Sequence, residues 1–165
     1  MSVSATTRSP RAGEQDAVSY FFVSTQQFED WIAGDGLLEW AAVHTEYYGT
    51  PRQPVQEQLD AGNSVFLEID TQGAFQVMAA KPDAVSIFID APSMDVLCQR
   101  LTDRGTESDE QIKRRLQTAE HEIAQQMRYN YQIVNDDLDS AVTELLRIID
   151  AEEQKMPHSP PEKTS

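Results

Sequence analysis

Leu37-Leu-Glu-Trp-Ala-Ala-Val-His-Thr-Glu-Tyr-Tyr-Gly-Thr-Pro51 is the stretch on which the rest of the chain is organised. Its first half, Leu37 to Val43, is apolar apart from Glu39, the pattern of a half-buried strand that carries one acidic residue. Burying an ionised carboxylate is costly unless something hydrogen-bonds it. Glu39 is therefore either an exposed exception or the acceptor for a ligand's N–H groups. The second half places two tyrosines, a glycine, a threonine and a proline together. Adjacent tyrosines offer a stacking surface and phenolic donors, and Thr50-Pro51 has the form of a helix start with N-cap and first-turn proline in place. A helix N-terminus beside a tyrosine hydroxyl can take an anion. One acidic acceptor and one anion seat a few residues apart would suit a purine nucleotide. A Tyr-Tyr-Gly turn also serves plain packing, and both readings stand at this point.

The 165 residues are enough for one domain with a sizeable core. A net charge of −15 argues against general binding to nucleic acid or to an anionic membrane. The basic residues are unevenly spread: Arg8, Arg11, Arg52, Arg100, Arg104, Lys113, Arg114 and Arg115 fall into short stretches. Arginine concentrated in an acidic protein suits recognition of a small anion, because the guanidinium fork matches phosphate bidentately. Surface ion pairing with neighbouring carboxylates is the plainer alternative. Cys98 is the only cysteine, so no disulfide forms within the chain, and its spacing from Met94, Leu97 and Leu101 suits a buried thiol. No apolar run approaches membrane-spanning length and no signal peptide precedes the first strand, so a cytoplasmic location is expected.

Outward from that stretch, Met1 to Ser4 reads as the end of a strand and Thr6 to Asp16 as a loop, with Arg8 and Arg11 flanking Pro10. Tyr20 to Val23 is a short strand. Ser24 then caps a helix with Gln27 at the capping-box position, and Gly34 to Gly36 ends it. A helix from Pro51 to about Ala61 stops at Gly62. Val65–Asp70 is expected as a strand, with a helix from about Thr71 to Ala80. Val85–Asp90 is a strand, and Ser93 caps a helix that runs to Gly105. Ser108 caps a longer helix with the stripe Ile112, Leu116, Ala119, Ile123 and Met127. Tyr131 to Asn135 is a strand, followed by a helix from about Leu138 to Glu153 and a tail, 156–165, expected to be disordered. Strands alternating with helices mean a parallel α/β sheet, with ligands outside the carboxyl ends of the strands. Glu68, Asp70, Asp90 to Ser93 and Asn135 to Asp137 gather there, as a metal–nucleotide site or as ordinary helix caps.

Ser2-Val-Ser-Ala-Thr-Thr-Arg-Ser-Pro-Arg11, Tyr20-Phe-Phe-Val-Ser24, Leu38-Glu-Trp-Ala41, Tyr47-Tyr-Gly-Thr-Pro51, Leu67-Glu-Ile-Asp-Thr-Gln-Gly73, Arg104-Gly-Thr106 and Ile133-Val-Asn-Asp-Asp137 resemble guanylate kinase in wording, order and spacing. The resemblance runs from Ser2 to about Glu153. It implies an α/β fold: a P-loop nucleoside-monophosphate-kinase-like parallel sheet flanked by helices, with a small GMP-binding mixed β subdomain and a helical lid. Residues 1–155 would form this domain, with the GMP-binding region at about 5–64 and the lid at about 100–116. The implied activity is ATP-dependent phosphorylation of GMP to GDP, with Mg²⁺ accompanying ATP. By the same resemblance Arg8, Arg11, Tyr20 and Tyr48 hold the GMP phosphate, while Ser4, Glu39, Thr50 and Asp70 lie around the guanine. Arg104 and Arg115 would act catalytically from a lid closing on the ATP phosphates, and Asn135 would sit near the adenine. The guanine edge carries the N1–H and N2–H donors that a carboxylate accepts as a pair. Adenine lacks that pair, which would leave Glu39 desolvated and unpaired against AMP.

One departure from the family is plain. No G-x-x-x-x-G-K-[ST] pattern occurs in the 165 residues. The first strand, P-loop and first helix of the family are expected to be missing, with Met1 an internal methionine taken as a start and the activity of this chain doubtful. The strands at Val65–Asp70 and Val85–Asp90 would then lack a shared neighbour. The alternatives are a non-catalytic, guanylate-kinase-like protein-binding module, or an inactive fragment from a misassigned start.

Overall fold

The computed structural model describes residues 1–43, 45–103, 105 and 108–155. The elements follow in the order β1 (Ala5–Thr6), β2 (Phe21–Phe22), α1 (Thr25–Ala33), β3 (Leu37–Val43), β4 (Glu46–Pro51), α2 (Arg52–Asp60) and α3 (Thr71–Ala80). After these come β5 (Ile87–Asp90), α4 (Met94–Asp103), α5 (Asp109–Ile123), a 3-10 turn at Gln126–Arg128, β6 (Tyr131–Val134) and α6 (Leu138–Glu153). The contacts divide the chain into two compact units, Met1–Ala84 and Val85–Ser165. The tail at 156–165 lies outside the described residues.

The first unit is built on a mixed sheet with strand order β2-β1-β4-β3. β3 and β4 form an antiparallel hairpin in which Glu39 faces Thr50, Trp40 faces Gly49 and Ala41 faces Tyr48. β1 lies antiparallel to β4, and β2 runs parallel to β1. Because successive side chains alternate across a strand, this register sorts the residues onto two faces. Tyr47, Trp40 and Ala5 share one, while Glu39, Tyr48, Thr50, Thr6 and Phe22 share the other. α1 covers the first face. Phe28 is fully buried there and stacks on Tyr47 at 5.3 Å between ring centroids and 12° between planes. Ala5, Leu37, Phe21, Trp31 and Ile32 complete that core. Ser24 accepts from the Gln27 amide to start α1, as its position predicts.

Two side chains stand in for backbone partners. β3 is an edge strand, and edges invite pairing with other chains. The Gln76 amide meets this edge with both ends, accepting from Trp40 N at 3.1 Å and donating to Trp40 O at 2.8 Å. Arg52 donates to Leu37 O at 2.9 Å and to Asp35 at 2.7 Å, tying the start of α2 to the start of β3.

Four expectations need correction. Tyr47 and Tyr48 form no joint stacking surface, because neighbours on a strand point to opposite faces. Thr50 is not a helix cap: it lies in β4, and Pro51 holds the N-cap position without a side-chain bond. Val65–Asp70 carries no strand ladder, although Val65, Leu67 and Ile69 are half-buried in alternation with exposed Phe66 and Glu68. The sequence pattern of a strand is present. A ladder also needs a neighbouring backbone, and among the described residues the backbone bond to Phe66 O comes from Ser2 N alone. Met1 to Ser4 is likewise outside any strand.

In the second unit β5 and β6 pair in parallel, Ile87 with Tyr131 through Asp90 with Val134. This is the expected parallel arrangement, two strands wide among the described residues. Ser86 and Asn130 fix its beginning: the Asn130 side-chain oxygen accepts from Ser86 N at 2.9 Å and from its hydroxyl at 2.8 Å. Ser108 and Gln111 form a full capping box at the start of α5, and Asp137 caps α6 through Ser140 N. Of the expected α5 stripe, Ile112 is buried, whereas Met127 falls past the helix end and is exposed.

Gly49 is where α1 and β3 press most closely on β4. A Cβ there would lie 2.6 Å from Glu39 O, 3.0 Å from Trp40 Cβ and 3.1 Å from Phe28 Cζ. Neither a backbone carbonyl nor a buried ring can yield cheaply. Gly49→Ala should therefore destabilise the fold by about 1–3 kcal/mol, measured by urea unfolding of the purified chain; an unchanged midpoint would contradict this packing.

Candidate functional site

Two clusters form on the sheet face that α1 leaves uncovered. The first centres on Glu39, which is 5% exposed despite its carboxylate. Its Oε1 accepts the Thr50 hydroxyl at 2.6 Å. Thr50 is itself fully buried and directly opposite in the ladder, so the partner is fixed by register. α3 approaches from the far side. A Cβ on Gly73 would come within 2.5 Å of Glu39 Oε2, so only glycine admits the helix start this close. Asp70 is the N-cap of α3, accepting from Gly73 N at 2.8 Å. Burial pushes the Glu39 carboxyl above its ordinary value, the Thr50 hydrogen bond opposes that shift, and the nearby Asp70 charge adds to it. Two acidic groups thus lie close together, with one hydroxyl holding one oxygen of Glu39.

The second cluster centres on Arg8. Its Nη1 and Nη2 donate to the two oxygens of Glu14, each at 2.9 Å, and Nη1 also reaches Ser9 O at 2.7 Å. The guanidinium carbon lies 5.5 Å from the Tyr20 ring centroid and 5.8 Å from that of Phe22, within cation–π range. Tyr48 meets Tyr20 edge-on at 6.2 Å. Arg11 joins through its backbone, donating to Glu14 at 2.6 Å. Hydrogen bonding by Glu14, opposed by burial and aided by Tyr48, holds Arg8 above its ordinary pKa. In turn Arg8 first, and the Arg11 amide second, draw the Glu14 carboxyl down to about 2.

Of the residues expected from sequence, Glu39, Thr50 and Asp70 are brought together, as are Arg8, Arg11, Tyr20 and Tyr48. Thr50 and Tyr48 are two residues apart on β4, so they share a face roughly 7 Å apart and link the clusters. Ser4 lies just before β1, where its carbonyl accepts from Phe21 N at 2.9 Å. In the second unit, Arg115 and Asn135 both line a cavity of about 280 Å³ with Ile89, Asp90, Leu97 and Arg100. Arg100 braces its wall by donating to Asn135 O at 2.7 Å and Asp136 O at 3.0 Å. Arg104 lies outside the described residues. A wider depression of about 360 Å³ is lined by α6 alone and gathers none of these groups.

Sequence reasoning missed Glu14 and Gly73 as site residues. Glu14 had a signal, an acid three residues after Arg11 in the same loop. Gly73 had another, a glycine in the first turn of a helix, where it is a poor helix former. Among the described residues no group of three His, Cys, Asp or Glu side chains could hold a metal, and no helix is long and apolar enough to cross a membrane.

A family model described as guanylate kinase matches residues 1–152. A guanylate kinase of Synechocystis is 49% identical over 153 residues, covering 93% of this chain and 80% of the relative. One from Neisseria gonorrhoeae is 52% identical over 151 residues, covering 92% and 74% respectively. The crystal structure of guanylate kinase from Anaplasma phagocytophilum superposes with a TM-score of 0.76 at 36% identity, covering 92% of this chain and 74% of that one.

The charge pairing around Glu14 sets a pH dependence. Its folded pKa is depressed, so its stabilising contribution is complete above the ordinary value of 4.5 and is lost as the pH falls through about 2. The thermal midpoint should fall as the pH is lowered across that window, and Glu14→Gln should flatten the fall. A titration slope unaltered by the substitution would show that the pair does not stabilise the fold.

Proposed function

The chain belongs to the guanylate kinase family, the phosphotransferases that convert ATP and GMP to ADP and GDP, and from that premise we propose how its residues divide the work. Glu39 and Asp70 receive the guanine, and Arg8, Arg11, Tyr20 and Tyr48 receive the GMP phosphate. The observation that carries this reading is the shared face of the hairpin: Glu39, Thr50 and Tyr48 point the same way, with Arg8 beside Tyr20 at one end. A buried carboxylate with one oxygen already held by a hydroxyl is preorganised to accept the paired N1–H and N2–H donors of guanine. Ser4 completes the surroundings of the base.

On the ATP side, Arg115 and Asn135 are proposed to face the triphosphate and the adenine, with Arg104 alongside Arg115 stabilising charge during transfer. No G-x-x-x-x-G-K-[ST] pattern is present in the 165 residues, so within them these arginines are the groups that meet the ATP phosphates. Mg²⁺ does not fit a protein cage here, since the described residues offer no cluster of three candidate ligands. It is expected to arrive as the ATP complex, held largely by phosphate oxygens and water.

Glu39→Gln tests the base reading. The amide oxygen can still accept from Thr50, which turns the amide nitrogen, a donor, towards the guanine donors. A buried mismatch of this kind costs about 1–3 kcal/mol. The preference for GMP over AMP in competition binding should narrow accordingly, with AMP affinity little changed. An undiminished preference would remove Glu39 from the guanine site.

A further inference from the structure

A guanidinium has two edges that can grip an anion bidentately, Nη1/Nη2 and Nε/Nη2. In Arg8 the first edge is committed to Glu14, with both bonds at 2.9 Å. The second edge has no carboxylate on it: Tyr48 is near enough to raise the Arg8 pKa, yet Nε is buried and makes no hydrogen bond among the described residues. An unpaired buried N–H is costly, and a group left in that state points to a ligand that completes it. The surroundings suit an anion with oxygen acceptors. Arg11 is close enough to lower the Glu14 carboxyl, and the Tyr20 and Phe22 rings flank the guanidinium.

Glu14 is itself anchored. Its Oε2 accepts from the Arg11 backbone as well as from Arg8, and it lies within the same short loop. The Arg8 and Glu14 side chains are 15% and 21% exposed, so water competes only weakly for the pair. A carboxylate held by its own loop serves better as a fixed brace than as a displaceable occupant of the seat.

We propose that Glu14 is a positioning residue for the phosphate group of the nucleotide. By gripping the Nη1/Nη2 edge it locks Arg8 against Tyr20 and Phe22 and leaves the Nε/Nη2 edge for a phosphate monoester. The proposal rests on the assignment of Arg8 to the phosphate seat. It also fixes which N–H groups the phosphate meets. The opposite role, in which Glu14 fills the seat until phosphate displaces it, makes the reverse forecast, because removing the acid would then tighten binding.

Calorimetry with GMP and with guanosine, which lacks the phosphate, separates these roles in the 165-residue chain. Glu14→Gln should weaken GMP binding by about tenfold or more while guanosine affinity stays within about twofold, since only the charge-assisted phosphate contact is disturbed. Glu14→Asp, which keeps the charge, should recover part of the loss. GMP binding that is unchanged or tighter in Glu14→Gln, or an equal loss for GMP and guanosine, would overturn the proposal. Should Glu14→Gln fail to fold, the unsubstituted chain still decides by nitrogen-15 NMR. The Arg8 Nε–H signal should shift on adding GMP or inorganic phosphate, and an unmoved signal at saturating GMP would refute the edge assignment. No GMP binding by the unsubstituted chain would instead defeat the phosphate-seat reading itself, and this proposal with it.

Discussion

A buried carboxylate is the constraint around which the first unit is arranged. Glu39 can remain inside only because Thr50 faces it across the ladder and donates at 2.6 Å. That bond requires the β3–β4 register, and the register in turn requires Gly49 to let Phe28 and the Glu39 backbone close in. Shifting the hairpin by one residue would send Glu39 into the aromatic core and Tyr47 outward. The hydrophobic face and the polar face therefore specify each other. Gly73 applies the same economy of space from the opposite side, admitting the capped start of α3 to within contact of the carboxylate.

The two clusters on that face solve different electrostatic problems. Burial at Glu39 disfavours the charged form and raises its pKa, and the Thr50 hydroxyl opposes that shift. The Arg8 cluster keeps positive charge beside aromatic rings and balances it with Glu14, which is why the acid's pKa is lowered. One site is short of donors and the other is short of acceptors. A ligand with a donor-bearing base at one end and an anionic group at the other complements both.

Much of this was legible in the sequence because the signals are local. Ser24, Ser108 and Asp137 start helices where their side chains imply, and the Leu37–Val43 pattern is a strand with its acid turned towards a polar partner. The errors share a cause, since each required knowledge of a neighbour. Thr50 looked like a cap because Pro51 follows it, but its hydroxyl is engaged across the sheet. Tyr47 and Tyr48 looked like one surface until strand alternation separated them. Val65–Asp70 has the alternation of a strand and lacks the backbone beside it that would make a ladder. Glu14 was overlooked because an acid in a loop carries no periodicity; only the fork of Arg8 gives it meaning.

The hairpin also has a consequence for how the molecule comes into being. Glu39 and Thr50 are 11 residues apart in sequence, whereas the Thr6 hydroxyl that bonds Tyr47 O is 41 residues away from it. Closing a short loop costs less chain entropy, and hairpins form within about 1–10 μs. The Glu39–Thr50 pair, one part of the proposed base site, thus lies in a segment of short sequence separation, which Asp70 and Ser4 join from outside the hairpin. The proposed phosphate seat waits for the N-terminal strands to dock on β4 and bring Arg8 to Tyr48. On the proposed reading, the carboxylate offered to the base can be paired early in folding, and the charge offered to the phosphate arrives late.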